Sequence, residues 1–123
     1  MSMGRGSAVA VVLVLFLVAL QYEAAQAAFY TVGGAGGWSF SSGSWPKGKR
    51  FRAGDVLVFR YNPSIHNVVA VSRGAYGSCS TPRGAKVYTS GNDRIKLVRG
   101  QNFFICNFPS HCQAGMKIAV SAV

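Results

Sequence analysis

The chain has 123 residues, which suits one domain, and carries 13 Lys and Arg against three Asp and Glu, a net charge of +10. Beyond the amino-terminal segment the only acids are Asp55 and Asp93. The sequence therefore excludes the usual glycoside hydrolase, which works with a pair of carboxylates.

The amino-terminal segment has the pattern of a secretory signal peptide. Arg5 supplies a positive charge, residues 8–20 form an apolar run, and Ala25-Gln26-Ala27 is a small-x-small cleavage pattern. The run is shorter than the roughly 20 residues that span a bilayer, although an uncleaved anchor is the alternative. We expect a signal peptide at residues 1–27 and a soluble domain at residues 28–123, secreted without a membrane anchor.

After this segment, short β-rich runs alternate with clusters of Gly, Ser, Asn and Pro. The predicted strands are Phe29–Val32, Asp55–Tyr61, Asn67–Ser72, Ala85–Thr89, Ile95–Val98, Gln101–Cys106 and Met116–Ser121. Residues 33–37 are interpreted as a glycine-rich turn, because no helix pattern follows to complete a nucleotide-binding motif. Asp55 and Asp93 are assigned to turns, and residues 76–84 could include a little helix. About seven or eight strands at regular spacing predict an all-β antiparallel sandwich.

The positive charge of the predicted mature part is spread along the chain, with 12 Lys and Arg against two Asp. Such a surface favours salt-sensitive encounters with anions. We expect an acidic cell-wall polysaccharide or an acidic protein as partner, because secretion argues against nucleic acid. The alternative is that the charge only maintains solubility, and high like charge also favours a monomer.

The mature part contains two histidines, one methionine and three cysteines. Cys106, His111 and Met116 follow one another at intervals of five residues between two predicted strands. A loop between adjacent strands can bring these three donors to one point, and His66 can join them from a neighbouring loop. Two imidazoles, a thiolate and a weak axial thioether are the ligands of blue-copper electron-transfer sites. The sequence therefore predicts one copper ion bound by these four residues.

Each donor also has an ordinary structural interpretation when considered alone. His66 could cap a loop, Met116 could belong to the core, and Cys106 could be a buried thiol or a disulfide partner. Three cysteines allow three pairings, of which Cys106–Cys112 would abolish the metal site, whereas Cys79–Cys112 would leave Cys106 free. A catalytic zinc site is a further alternative, disfavoured because thioether is a poor zinc ligand.

The motif Cys106-x4-His111-x4-Met116, with His66 upstream and Tyr30-Thr31-Val32-Gly33-Gly34 near the start, resembles the phytocyanins, which are plant cupredoxins. The resemblance covers residues 28–123. It implies a Greek-key cupredoxin-like β-sandwich with copper near one end and a disulfide between Cys79 and Cys112. Stellacyanin-like members carry Gln at the axial position, where this chain has Met116.

The resemblance implies an extracellular one-electron carrier of the plant apoplast or cell wall that cycles between Cu(II) and Cu(I), with an unknown redox partner. The alternative is an extracellular signalling or wall-binding protein, for example in plant reproduction, in which copper is structural. An enzyme is the least favoured hypothesis, because no acid lies near the predicted ligands and no histidine remains for a further copper site.

Overall fold

The computed structural model describes residues 11–13 and 26–123. The predicted signal peptide at residues 1–27 lies largely outside these described residues, and the domain boundary at Ala28 stays a prediction. Across the described ranges, no helix is both long and apolar enough to cross a lipid bilayer.

The described residues form a two-sheet β-sandwich. Its strands are β1 (Phe29–Thr31), β2 (Val56–Arg60), β3 (Val68–Val71), β4 (Lys86–Tyr88), β5 (Asn92–Lys96), β6 (Gly100–Ile105) and β7 (Lys117–Ala122). A short helix, α1 (Arg73–Ser78), follows β3, and 3-10 turns lie at Gly34–Gly36 and Ser42–Ser44. One sheet has the order β1-β2-β5 and the other β4-β3-β6-β7. The prediction of an all-β sandwich with little helix is confirmed. One pair departs from the predicted antiparallel arrangement: β1 runs parallel to β2, which the long connection of residues 32–55 permits.

The core lies between the sheets, and β5 and β7 show this most clearly because their residues alternate in burial. In β7, Ile118, Val120 and Ala122 are buried, whereas the intervening Ser121 is exposed. Phe59 of one sheet meets Phe104 of the other, with ring centroids 5.2 Å apart. Burying side chains of this size contributes about 1.5–3 kcal/mol each.

The strand β5 was misplaced by the sequence prediction, which set it at Ile95–Val98 and assigned Asp93 to a turn. Asp93 lies inside the strand and is only 7% exposed. Its carboxylate accepts hydrogen bonds from the Tyr61 hydroxyl and, at 2.6 Å, from Ser90 Oγ. Burial raises the pKa of Tyr61, and the hydrogen bond to Asp93 raises it further. The prediction failed because an inward-facing carboxylate interrupts the apolar alternation on which it relied.

The helix α1 begins at Arg73, three residues before the segment 76–84 in which the sequence predicts a little helix. Ser72 caps its amino end by accepting a hydrogen bond from the Ala75 amide at 3.3 Å. Cys79 ends it in the left-handed backbone conformation, with φ of 53°. A serine cap followed by Arg-Gly-Ala is a weak helix signal, since glycine lowers helix propensity.

The sheet register places two loops at one end of the sandwich. Because β3 and β6 are antiparallel and Val69 pairs with Ile105, β3 begins beside the end of β6. Ile105 also pairs with Lys117, so β7 begins at the same end. Residues 61–67, which precede β3, therefore meet residues 106–116, which join β6 to β7.

Candidate metal centre

Three of the four predicted ligands converge at this end of the sandwich. The side-chain donor atoms of His66, Cys106 and His111 all lie within 4.8 Å of one another. The Nδ1 atoms of the two histidines are 3.1 Å apart, and Cys106 Sγ lies 3.5 Å from His111 Nδ1 and 4.0 Å from His66 Nδ1. Donors at these separations can reach one ion at the metal–ligand distances of about 2.0–2.3 Å found for imidazole and thiolate.

His66 is positioned by a tight turn that closes on Asn62. The amides of Ile65 and His66 both donate to the Asn62 carbonyl, at 3.2 and 3.1 Å, and Asn62 Oδ1 accepts from the Ser64 amide. The imidazole is 9% exposed. Burial, assisted by the neighbouring His111, lowers the pKa of His66. The site thus favours the neutral imidazole, which is the form that binds metals.

Cys106 and His111 are held by backbone hydrogen bonds within residues 106–116. The Cys106 amide donates to the Met116 carbonyl at 3.1 Å, and the Met116 amide donates to the His111 carbonyl at 3.0 Å. Ser110 adopts φ of 69°, a left-handed conformation that costs free energy for a residue with a Cβ. This bend brings His111 back toward Cys106 across a loop of only a few residues.

Met116 is completely buried in the core beside the site. Its backbone is bonded to both Cys106 and His111, so its position is fixed relative to two of the converged donors. The placement agrees with an axial thioether, and the coordination of a metal by Met116 stays a prediction.

The cysteine pairing left open by the sequence is settled by the structure. Cys79 and Cys112 form a disulfide, and Cys106 is a buried free thiol. The bridge joins the end of α1 to the residue after His111. The disulfide implied by the family resemblance is confirmed, and the Cys106–Cys112 alternative is wrong.

A pair of asparagines connects the two loops that carry the donors. Asn67 Oδ1 accepts a hydrogen bond from the Asn107 amide at 2.9 Å, and the Asn67 side-chain amide donates to Asn107 Oδ1. Asn107 also donates to Thr81 Oγ1 at 3.0 Å, and the carbonyl of Asn67 accepts from the Trp38 indole at 2.9 Å. Asn67 was not among the residues predicted from the sequence. The usable signal was an asparagine placed directly between a candidate ligand and a β-rich run, where asparagine is depleted.

Aromatic rings surround the histidines on the outer side of the centre. The Phe40 ring meets His111 and His66 edge-on, with centroids 4.8 and 5.7 Å away, and Phe108 stacks on His111 at 5.8 Å. Phe40 is 46% exposed and His111 is partly exposed. The role of Phe40 was missed because it lies in a Ser-rich loop whose sequence gives no indication of contact with residue 111.

This donor set fits copper on chemical grounds. Imidazole suits Cu(II) and soft sulfur suits Cu(I), so a mixed set held rigidly serves both oxidation states with little rearrangement. The Cys106 thiol is buried, which protects it from oxidants in the solvent. One copper ion held by His66, Cys106 and His111, with Met116 as axial ligand, therefore agrees with the residues present.

Comparison with known proteins gives the same result. The plastocyanin-like domain family matches residues 38–116. The "Basic blue protein" of Arabidopsis thaliana is 58% identical over the full length of both chains, and that of Cucumis sativus is 68% identical over 96 residues, 78% of this chain and all of the relative. The solved cucumber basic protein, a blue copper protein, is 69% identical with a TM-score of 0.77, covering 78% of this chain and all of that chain.

The candidate site, the disulfide and the charge agree with this likeness. The methionine at the axial position and the net charge of +10 are those expected of a basic blue protein, and not of a stellacyanin with axial Gln. The chain therefore belongs to the phytocyanin family of plant blue-copper cupredoxins, in its plantacyanin (basic blue protein) branch.

Proposed function

We propose that this protein is a secreted one-electron carrier whose single type 1 copper cycles between Cu(II) and Cu(I). The proposal rests on the convergence of the metal donors at one end of the sandwich. Two imidazoles and a thiolate lie within 4.8 Å of one another, with a buried methionine beside them. Copper supplies the redox couple when bound, and the protein supplies a fixed geometry that neither oxidation state has to rebuild.

The exposure of the donors indicates the route for the electron. Cys106 and Met116 are completely buried and His66 is nearly so, whereas His111 is partly exposed. Because His111 is the most exposed of the donors, its ring would lie nearest to a partner that docks at this end. Phe40 and Phe108 surround that ring with an apolar surface. The electron would therefore enter and leave through His111.

A carrier is favoured over an enzyme because the site offers no acid–base machinery. The two acids of residues 26–123 are engaged elsewhere: Asp55 accepts from the amides of Ala28 and Arg52, and Asp93 accepts from Tyr61 and Ser90. A catalytic zinc centre would also need an open coordination position, and a buried methionine next to the donors disfavours zinc because thioether is a poor zinc ligand.

Secretion to the plant apoplast or cell wall is part of the same proposal. A disulfide between Cys79 and Cys112 is typical of proteins that fold in an oxidising compartment. The signal-like pattern of residues 1–27 supports the same route. The redox partner stays open.

Voltammetry of the copper-loaded protein tests electron transfer directly. We expect a reversible one-electron wave that is lost in Cys106→Ser, because serine removes the thiolate. Met116→Gln should keep the wave but move it to a lower potential, because an amide oxygen is harder than a thioether and favours Cu(II). A copper-loaded protein without a reversible wave would support the alternative, a signalling or wall-binding protein in which copper is structural.

A further inference from the structure

We propose that the segment 47–52 is a binding site for an acidic polysaccharide, a linear chain of uronate units. We call this segment the basic ridge, and its cations are Lys47, Lys49, Arg50 and Arg52. The proposal depends on the extracellular location argued above, and does not depend on electron transfer.

Among the described residues, no Asp or Glu side chain pairs with the cations of the ridge. Among residues 26–123, Asp55 and Asp93 are the only acidic side chains, and they are 4% and 7% exposed. Their hydrogen bonds go to backbone amides and hydroxyl groups, not to Lys or Arg side chains. The surface therefore carries positive charge without interspersed negative side chains, and the ridge concentrates four of twelve cations in six residues.

The ridge is held in place by its own apolar residue. Phe51 is 2% exposed, pairs with Ala122 in an isolated β-bridge, and packs against the rings of Tyr30 and Trp45 at 5.0 and 5.7 Å. The amide of Val123 donates to the Phe51 carbonyl at 3.0 Å. Fixing the backbone before binding lowers the entropy lost when an anion binds.

The ridge contributes cationic side chains to two clefts. Lys47 and Lys49 line a cleft of about 330 Å³ that also includes Tyr76 and Ser121. Arg50 and Arg52 line the second, of about 310 Å³, together with Tyr30 and Asp55, whose two carboxylate oxygens are already bonded to backbone amides. A chain laid across the ridge would meet ammonium groups on one side and guanidinium groups on the other, with hydroxyl groups to pair with its sugars.

The composition of the ridge favours a polysaccharide over other anions. Protein interfaces have an apolar centre, whereas no large apolar side chain of segment 45–52 is among the exposed ones. Single-stranded nucleic acid requires aromatic platforms for its bases, but Lys49 Nζ lies over the Trp45 ring at 5.3 Å. A hydrated chain with a carboxylate on each sugar needs neither feature.

The test compares two variants of equal charge in the copper-loaded protein. One replaces the ridge cations by Gln (K47Q, K49Q, R50Q and R52Q), and the other replaces four exposed cations elsewhere (R83Q, K86Q, K96Q and R99Q). Binding to polygalacturonate is measured by calorimetry at low and at physiological salt. We expect the ridge variant to bind about tenfold or more weakly, and the control variant to lose much less.

Three results would overturn the proposal: equal losses in both variants, undiminished binding to fully methyl-esterified polygalacturonate, or tighter binding of duplex DNA than of polygalacturonate at the same salt concentration. The blue absorption band and the thermal unfolding midpoint of each variant report folding and the copper centre separately from polymer binding. Failure of polymer binding is therefore distinguishable from failure of the copper proposal.

Discussion

The hydrogen bonds between Asn67 and Asn107 fix the distance between the two loops that supply the metal donors. One asparagine follows His66 and the other follows Cys106, so each bond acts on a residue adjacent to a ligand. Groups that orient metal ligands commonly change the metal affinity by 10- to 100-fold when they are removed, and these bonds act on the backbone that carries two of the ligands. They also determine how far the imidazole can move from the thiolate.

Replacing Asn67 by Ala should therefore weaken the copper centre. We expect a loss of about 1–3 kcal/mol in the free energy of unfolding, because the Asn107 side chain and amide lose their partner, and a lower copper affinity. Asn92→Ala, at an exposed position, is the matched control and should change stability by about 0.5 kcal/mol or less. Equal copper affinities of the two variants by competition titration would contradict the role of Asn67.

The pKa of His66 gives a prediction for the copper-free protein. Because the pKa of His66 is lowered on folding, the unfolded chain binds more protons than the native protein as the pH falls below about 6.5. The free energy of unfolding is therefore not reduced by His66 above that pH, and it decreases on acidification as His66 is protonated in the unfolded chain. We expect the urea midpoint to fall between pH 7 and pH 5, and to fall less in His66→Asn. An unchanged pH dependence in His66→Asn would assign the effect to other groups.

At the scale of elements, strands with regular alternation were predictable and those with buried polar groups were not. The residues of β7 alternate in burial and those of β2 form a continuous apolar run, and both strands were recognised within two residues. Because Asp93 is polar, the apolar pattern did not show where β5 begins. The serine at position 72 was too weak a capping signal to predict the start of α1. The four donors could be named from residue type and spacing, whereas the contact of Phe40 with His111 depends on the closure of a loop.

The disulfide is the covalent link between α1 and the loop that carries His111. Cys79→Ala with Cys112→Ala removes a bridge across 33 residues, which the chain-entropy model values at about 3–4 kcal/mol. We expect a loss of stability of that order and faster release of copper to a chelator, because the residue next to His111 is no longer anchored. The variant Ser80→Ala, beside the bridge, serves as control. Unchanged release rates would show that backbone hydrogen bonds alone hold the loop.

At the scale of the whole molecule, the apolar copper end and the charged surface are built by different residues. Phe40, Phe108 and Ile65 lie at or next to the ligand loops, while the basic ridge is anchored by Phe51 next to the end of β7. The total charge was readable from composition. The structure alone shows that Asp55 and Asp93 are both buried and form no pair with a Lys or Arg side chain.

The absorption spectrum of the mature protein after addition of one equivalent of Cu(II) tests whether copper binds to the Cys106 thiolate. We expect an intense band in the orange-red region from a copper–thiolate bond, present in the wild-type protein and absent in Cys106→Ser. Thermal unfolding of the variant without copper confirms that it is folded. A folded wild-type protein that binds copper without this band, or a Cys106→Ser variant that retains it, would contradict the proposed centre.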